Sequence, residues 1–284
     1  DNSGGALATR TQDVAITING KNDQSAVTSL AGDHAGAVTE DAATPDLVAS
    51  DTITFSDIDL IDAHTVSFVL KSSDATADLP GFAEGVGPAV ANIGVFALGA
   101  VTDGAGTDIN GSFGWSYTLA NGDATLQSLA EGQTIVQTYT VTIADNSGGA
   151  LATRTQDVAI TIAGVNDTPD AVADTHGTTL VEGDEPADAN IQAAGSVLGN
   201  DTDVDAIDTR TVVGVAAGSV AGPFDSGTGA TITGTYGTVV IAANGDYTYT
   251  LDNSDPRPRR FQPAKACRKC SPTPSPITTP PRTP

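Results

Sequence analysis

One stretch of this chain occurs twice, and that repeat constrains its architecture more than any other feature. Residues 1–23 read DNSGGALATRTQDVAITINGKND and residues 145–167 read DNSGGALATRTQDVAITIAGVND, differing only at Asn19/Ala163 and Lys21/Val165. A repeat at a fixed spacing, here 144 residues, marks units that fold largely alone and lengthen a chain by copying. The spacing predicts a complete unit over 24–167, with 1–23 as the closing strand of a unit before it and a further unit over 168–255. Two landmarks recur in the same order in that further unit: FGWSYTLANGD at 113–123 returns as GDYTYTLDNSD at 245–255, and TFSDIDLIDAHTVS at 54–67 returns as LGNDTDVDAIDTRTV at 198–212. A chain that opens inside a repeat and has no Met is expected to be a piece of a longer protein.

The local pattern is that of strands. Val158, Ile160 and Ile162 alternate with Ala159 and Thr161, and Tyr139, Val141 and Ile143 alternate with threonines. A period of two buries one face of a sheet and wets the other, and threonine suits the pleated surface. The same reasoning places strands at 52–55, 65–70, 113–119, 138–143, 153–162, 211–215, 231–235, 237–242 and 246–251. Asn244-Gly245, between two alternating runs, predicts a type I′ hairpin. Residues 72–110, rich in Gly and Ala, predict long loops with one short strand near Ile93–Leu98. No segment sustains a helical period. Short strands with regular turn signals predict an all-β chain of immunoglobulin- or cadherin-like β-sandwiches in tandem, ending in a disordered tail.

Charge divides the chain at residue 256. Five basic residues face 35 acidic ones before it, a net −30, while the last 29 residues carry +7, both cysteines and nine of the 15 prolines. So acidic a body repels phosphate and disfavours nucleic acid as a partner. A body without cysteine has no disulfide framework, and no apolar run reaches the ~18 residues of a membrane-spanning helix.

The acids are clustered. Asp57, Asp59 and Asp62 lie together, as do Asn200, Asp201, Asp203, Asp205 and Asp208. Glu40-Asp41 and Glu182 with Asp184 sit early in each unit, and Asn22-Asp23 and Asn166-Asp167 stand where one unit meets the next. Two like charges about 4 Å apart repel by roughly 1 kcal/mol even in water, and a divalent cation turns that repulsion into coordination. Oxygen donors with few His and no Cys point to Ca²⁺. Two calcium signatures fail. DTDVDA at 201–206 starts like an EF-hand loop, but Ala206 stands where that loop needs Gly and Val212 where it needs a bidentate Glu. DGAGTDIN at 103–110 resembles one β-roll nonapeptide, a fold that requires stacked copies.

LGNDTDVDAIDTRTV followed by GTYGTVVIAANGDYTYTLDN, with VTED near a unit's start and AITIAGVND at its end, resembles the VCBS repeat family, domains found in tandem in very large bacterial surface and RTX-type adhesins. The resemblance covers about 1–255, more strongly over 168–255. It implies immunoglobulin- or cadherin-like sandwiches, export by a dedicated secretion system and calcium-stiffened linkers. By resemblance, Asn166, Asp167 and Asp170 are junction ligands, joined by Glu182 and by the acids of the NDTDVD loop. With the clusters above, the candidate metal ligands are Glu40, Asp57, Asp59, Asp62, Asn166, Asp167, Asp170, Glu182, Asn200, Asp201, Asp203 and Asp205.

The tail invites other readings. Cys267-x-x-Cys270 has no second ligand pair for zinc and no βαβ setting for redox work. Read one base earlier, Cys270 through Pro276 permits Phe-Thr-Tyr-Thr-Val-Thr, the strand that 138–143 predicts for the later unit. We therefore expect a frameshift near Asp255–Pro256, and with it a later unit that lacks its last two strands and is marginally stable. The coding DNA decides this.

No catalytic constellation stands out. His34, His64 and His176 lie in no nucleophile context, and His64 beside its acids reads as a surface bystander. Trp115, alternating with Phe113 and Tyr117, reads as core rather than as a sugar platform. The expectation is a non-enzymatic, secreted or cell-surface stalk in adhesion or biofilm. Its partners would be neighbouring repeats of the chain and a surface glycan or host or matrix receptor, with no membrane insertion. The alternatives are spacer repeats of a large secreted hydrolase, or a glycan-binding module using the 72–110 loops.

Overall fold

The computed structural model describes residues 4, 11–40, 46–87, 89–104, 106–177, 179–181, 191–218 and 227–252. The tail from 256, Glu182 and Asp184 lie outside them.

The described residues are almost wholly strand and loop. In chain order the strands are β1 (Ala26–Val27), β2 (Ala35–Thr39), β3 (Asp46–Ser56), β4 (Thr65–Ala75), β5 (Gly85–Val86), β6 (Val95–Leu98), β7 (Thr102–Asp103), β8 (Asn110–Ala120), β9 (Thr134–Ala144), β10 (Thr153–Ala163), β11 (Gln192–Ser196), β12 (Thr231–Thr233), β13 (Gly237–Ile241) and β14 (Asp246–Leu251). One sheet runs β1-β3-β8-β6, with β7 also on β8, and a second runs β2-β10-β9-β4-β5. These two face each other as a β-sandwich. A third sheet, β11-β14-β13-β12, belongs to the later part of the chain.

The alternation drives the sandwich. In β9 every second residue from Ile135 to Ile143 is buried, and β10 buries Val158, Ile160 and Ile162. β8 does the same with Phe113, Trp115, Tyr117 and Leu119 from the opposite sheet. All join one core. β10 is antiparallel to β9 along its full length, while its second half is parallel to β2, with Ile160 opposite Gly36 and Ile162 opposite Val38. Gly36 is required there: a Cβ would lie 2.8 Å from the Trp115 ring and 3.1 Å from the Ala49 methyl. Trp115 is buried and donates from Nε1 to the Asp33 carbonyl at 2.9 Å, which makes it core.

Four expectations change. The central strands are longer than their apolar runs, because pairing continues past the last buried residue: β3 and β8 stay in register from Asp46↔Ala120 to Ser56↔Asn110. Residues 211–215 form no named strand. Val212 and Val215 are buried, with the Val212 N–H bonded to the Ala243 carbonyl at 2.9 Å instead of to a ladder. β11 was invisible because QAAGS has no apolar period. The turn at Asn244-Gly245 is not type I′, which needs positive φ at both residues: among the described residues only glycines have positive φ. Gly245 (φ 84°) donates to the Ala242 carbonyl at 3.0 Å and Ala242 donates to the Asp246 carbonyl at 2.8 Å. That is a three-residue loop closed by a left-handed glycine.

The 72–110 stretch is more than loop. β4 extends into it, β5 and β7 are short pairings, and β6 lies within the expected 93–98 strand. Its Leu79, Ile93 and Phe96 are buried core. Phe96 stacks on Tyr139 (centroids 4.3 Å apart, 11° between planes) and meets the edge of Phe68 at 5.0 Å. It thereby bridges the two sheets.

Candidate metal centre

Two acidic clusters are built to the same plan. The first gathers where the chain enters the sandwich. Asp57 and Asp59 follow β3, Asp62 follows them in the same loop, and Asp145 stands at the β9–β10 corner. The entering strand is locked to this loop: the Asp23 N–H donates to Asp59 Oδ2 at 2.6 Å and the Asn22 amide to Asp145 Oδ2 at 3.3 Å. The Asp59 N–H donates in turn to Asp57 Oδ1 at 3.0 Å.

The second cluster repeats the lock. The Asp167 N–H donates to Asp205 Oδ2 at 2.8 Å, and the Asp205 N–H to Asp203 Oδ1 at 3.2 Å. Asn22 and Asn166 each turn their amide onto the next residue's carbonyl, at 2.9 and 2.6 Å. Asp57 and Asp59 thus correspond to Asp203 and Asp205, and Asp62 to Asp208. Glu40, immediately after β2, joins this second cluster. Its Oε2 accepts the Val165 N–H at 3.0 Å and its Oε1 the Gln127 amide. The Ala206 N–H donates to the Ser128 carbonyl at 3.1 Å, which seats the 201–208 loop on the sandwich.

The electrostatics of both clusters are unsatisfied. Oxygens of Asp57, Asp62 and Asp145 lie within 4.8 Å of one another. Asp62 is 7% exposed, and its Oδ2 is buried without a hydrogen-bond partner. Asp205 is 2% exposed, with Oδ1 in the same condition, as is Asp167 Oδ2. Burial, and then the charges of Asp145, Asp57 and Asp59, push the Asp62 carboxyl above its ordinary range. Burial outweighs the Asp167 N–H bond and, with Asp208, Asp203 and Asp167, raises Asp205 to about 6. Glu40 is raised by burial against its bond from Val165, with Asp167 and Asp205 adding to the rise. Asp145 is held low: burial opposes ionisation, but two bonds from Ser147, the Asn22 amide and the charge of His64 prevail.

His64 is no bystander. It is buried, with Nδ1 2.9 Å from Asp103 Oδ2 and Nε2 3.2 Å from both Asp57 Oδ2 and Ser25 Oγ. Burial alone would keep the ring neutral, but bonds from Asp103 and Asp57 reverse that and raise its pKa. Ser25, His64 and Asp103 share the connectivity of a catalytic triad. The Ser25 hydroxyl, itself buried, also donates to Asp57 Oδ2 at 2.9 Å. Through Asp57 the three are linked to the first cluster. With both its nitrogens engaged, His64 is also not a free metal ligand.

The donor set is therefore all oxygen, which suits a hard cation such as Ca²⁺. Asp57, Asp62 and Asp145, with Asp59 beside them, would hold it in the first cluster; in the second, Glu40, Asp167, Asp203, Asp205 and Asp208 lie near one another, but among the described residues no three of their oxygens converge as closely. The other expected ligands have their own contacts. Asp170 is exposed and engages Thr202 through its backbone. Asn200 is exposed, its amide 3.4 Å from the Ala173 carbonyl. Asp201 accepts the Val172 N–H at 2.8 Å and occupies the place of Phe55 in the first loop. Glu182 lies outside the described residues. Asp145 was missed because it is 83 residues from Asp62 in the chain. Its signal was the DNSGG motif at the head of the repeat.

No model of a known protein family matches the chain, and no curated protein matches it. Among solved structures it is similar to the ASH/PapD-like domain of human CEP192 (PapD-like domain 7), at 9% identity and a TM-score of 0.30, covering 55% of this chain and 95% of that one.

Proposed function

We propose that this chain is a stretch of a repeat protein of a bacterial cell surface or biofilm matrix, acting as a calcium-stiffened stalk in adhesion. The observation that carries this reading is the doubled lock: Asp23 on Asp59 and Asp167 on Asp205, each beside a buried carboxylate oxygen without a donor. A lock repeated where one sequence repeat meets the next is what a stiffened array needs. Buried charge without a partner costs several kcal/mol per ion unless something neutralises it. A bound Ca²⁺ supplies two positive charges and hard coordination, and outside a cell calcium is abundant enough for sites of about 10⁻⁴–10⁻³ M affinity.

The stiffening follows from which elements share the second cluster. Glu40 follows β2, Val165 and Asp167 follow β10, and Asp203 and Asp205 belong to the loop after β11. One ion there ties three chain segments to a point. Without it the carboxylates repel and the 164–170 linker is free to bend. Thermal melting of the chain with calcium, with chelator and with magnesium tests this. Calcium should raise the melting temperature by several degrees and magnesium much less, as a rise of about 1–3 kcal/mol gives in a domain of this size. Equal melting in calcium and chelator refutes the reading.

A further inference from the structure

One edge of the sandwich lacks the protection that the others carry. A strand with a free side offers its N–H and C=O groups to any second strand, and folded proteins blunt such edges with charge, shortness, proline or a bulge. β3, which has only β8 beside it from Asp46 to Ile53, carries the exposed Asp46 and Asp51 there. β2 and β6 are only five and four residues long. β4 is guarded in its second half alone, where the register breaks at Lys71 and β5 covers Ser72 and Ser73. Its first half, Thr65–Leu70, has β9 on one side and, among the described residues, no backbone partner on the other. This half reads TVSFVL, without charge, Gly or Pro, and is about 20 Å long. Phe68 and Val69 on it are 39% and 64% exposed. The edge runs along the side of the complete unit, whereas units join at its ends, through Asp23 on Asp59 and Asp167 on Asp205.

We propose that Thr65–Leu70 pairs antiparallel with the same strand of a second copy of this chain, which joins two five-stranded sheets into one. Opposed residues of an antiparallel pair share a face. Val66, Phe68 and Leu70 pack inward, while Ser67 and Val69 turn outward opposite Thr142 and Thr140. A two-fold axis at Phe68 keeps these faces together: Phe68 meets Phe68 of the other copy, Val66 meets Leu70, and Ser67 meets Val69. The edge is thus complementary to itself, and both of its exposed apolar residues are covered. Charge selects the same arrangement. Lys71, whose side chain is half exposed, comes opposite Thr65 of the other copy, at the end of β4 that the acidic 57–62 loop precedes. A basic residue therefore approaches the other copy's acidic loop at both ends of the contact, whereas parallel pairing would set acidic loop beside acidic loop. A six-residue strand pair buries less than the ~800 Å² per partner of a standard interface, so the contact is weak in one unit and gains strength by repetition along an array. On the stalk reading above, antiparallel pairing joins stalks that project from facing surfaces. The pairing itself depends neither on that reading nor on calcium.

The test uses the folded full-length chain with Cys267 and Cys270 changed to Ser. One preparation carries Ser67→Cys and the other Val69→Cys. Mixed at about 1 mM in a glutathione redox buffer, they should form a disulfide-linked heterodimer, at least about tenfold more than at ~10 μM, as mass action requires of a weak complex. Pairing Val69→Cys with Thr65→Cys, two residues out of register, should give about tenfold less product. Sedimentation equilibrium of the chain without added cysteines should show monomer–dimer association at about 1 mM, the concentration range of a weak contact. Val69→Lys, a charge at an exposed outward position, should abolish that association and leave the melting temperature unchanged. Equal yield from both cysteine registers, or association that survives Val69→Lys, overturns the proposal. So does a chain that stays monomeric throughout, which would leave this edge to a strand of another protein.

Discussion

Asp62 and Asp205 each bury a carboxylate oxygen that no donor reaches, and this sets the pH behaviour of the protein. Asp205 titrates near 6 in the fold against an ordinary 3.8. Across that window the folded state binds more protons than the unfolded one, so metal-free stability falls as pH rises. Glu40, Asp62 and Asp208 are displaced in the same direction. His64, also raised, contributes fully below 6.5 and loses its contribution as pH climbs through its folded value. Asp145 and Asp157 are lowered, so their contribution is lost only as pH falls below the ordinary 3.8. The metal-free melting temperature should therefore decline from about pH 4.5 to about pH 7.5, and calcium should oppose the decline. A rising metal-free profile contradicts this assignment of charges. Asp205→Asn separates the terms further. Asparagine can still accept the Asp167 N–H but no longer carries charge. It should stabilise the metal-free protein by about 1 kcal/mol and remove most of the calcium-dependent rise contributed by the second cluster, both read by melting.

At the scale of elements, the sandwich depends on close contact between its sheets. Gly36 on β2 leaves the room that the Trp115 ring occupies. Gly36→Ala should cost about 1–3 kcal/mol, the usual penalty for overpacking, measured by urea unfolding. Phe96 on β6 meets Tyr139, Trp115 and Phe68, so Phe96→Ala should cost about 3–5 kcal/mol. A loss below about 1 kcal/mol would mean that 72–110 is appended to the sandwich rather than part of its core. This stretch was hard to read because its three core residues, Leu79, Ile93 and Phe96, are spread among Gly and Ala with no period to connect them. The strands around Ile135–Ile143 and Val158–Ile162 were legible for the opposite reason: each alternates apolar with polar over five or more residues, and only a pleated strand buries such a row on one face.

For the whole molecule, sequence alone established an all-β chain, its principal strands and the acidic clusters near Asn22-Asp23 and Asn166-Asp167. Those properties are local, since a period of two, a turn glycine and a run of carboxylates are each written within a few residues. Which acids meet was decided by tertiary structure. Asp145 reaches Asp62 because β9 returns the chain to the end where β3 leaves, whereas Asp170 engages Thr202 through its backbone and Asp201 accepts the Val172 N–H, although they stand in the same runs. The fate of the repeated segment was decided the same way. Thr155–Ile162 is core and Thr11–Ile18 is exposed, although their residues are identical. A strand's sequence specifies which face it can bury, but burial requires neighbouring strands on both sides, which β10 finds in β9 and β2.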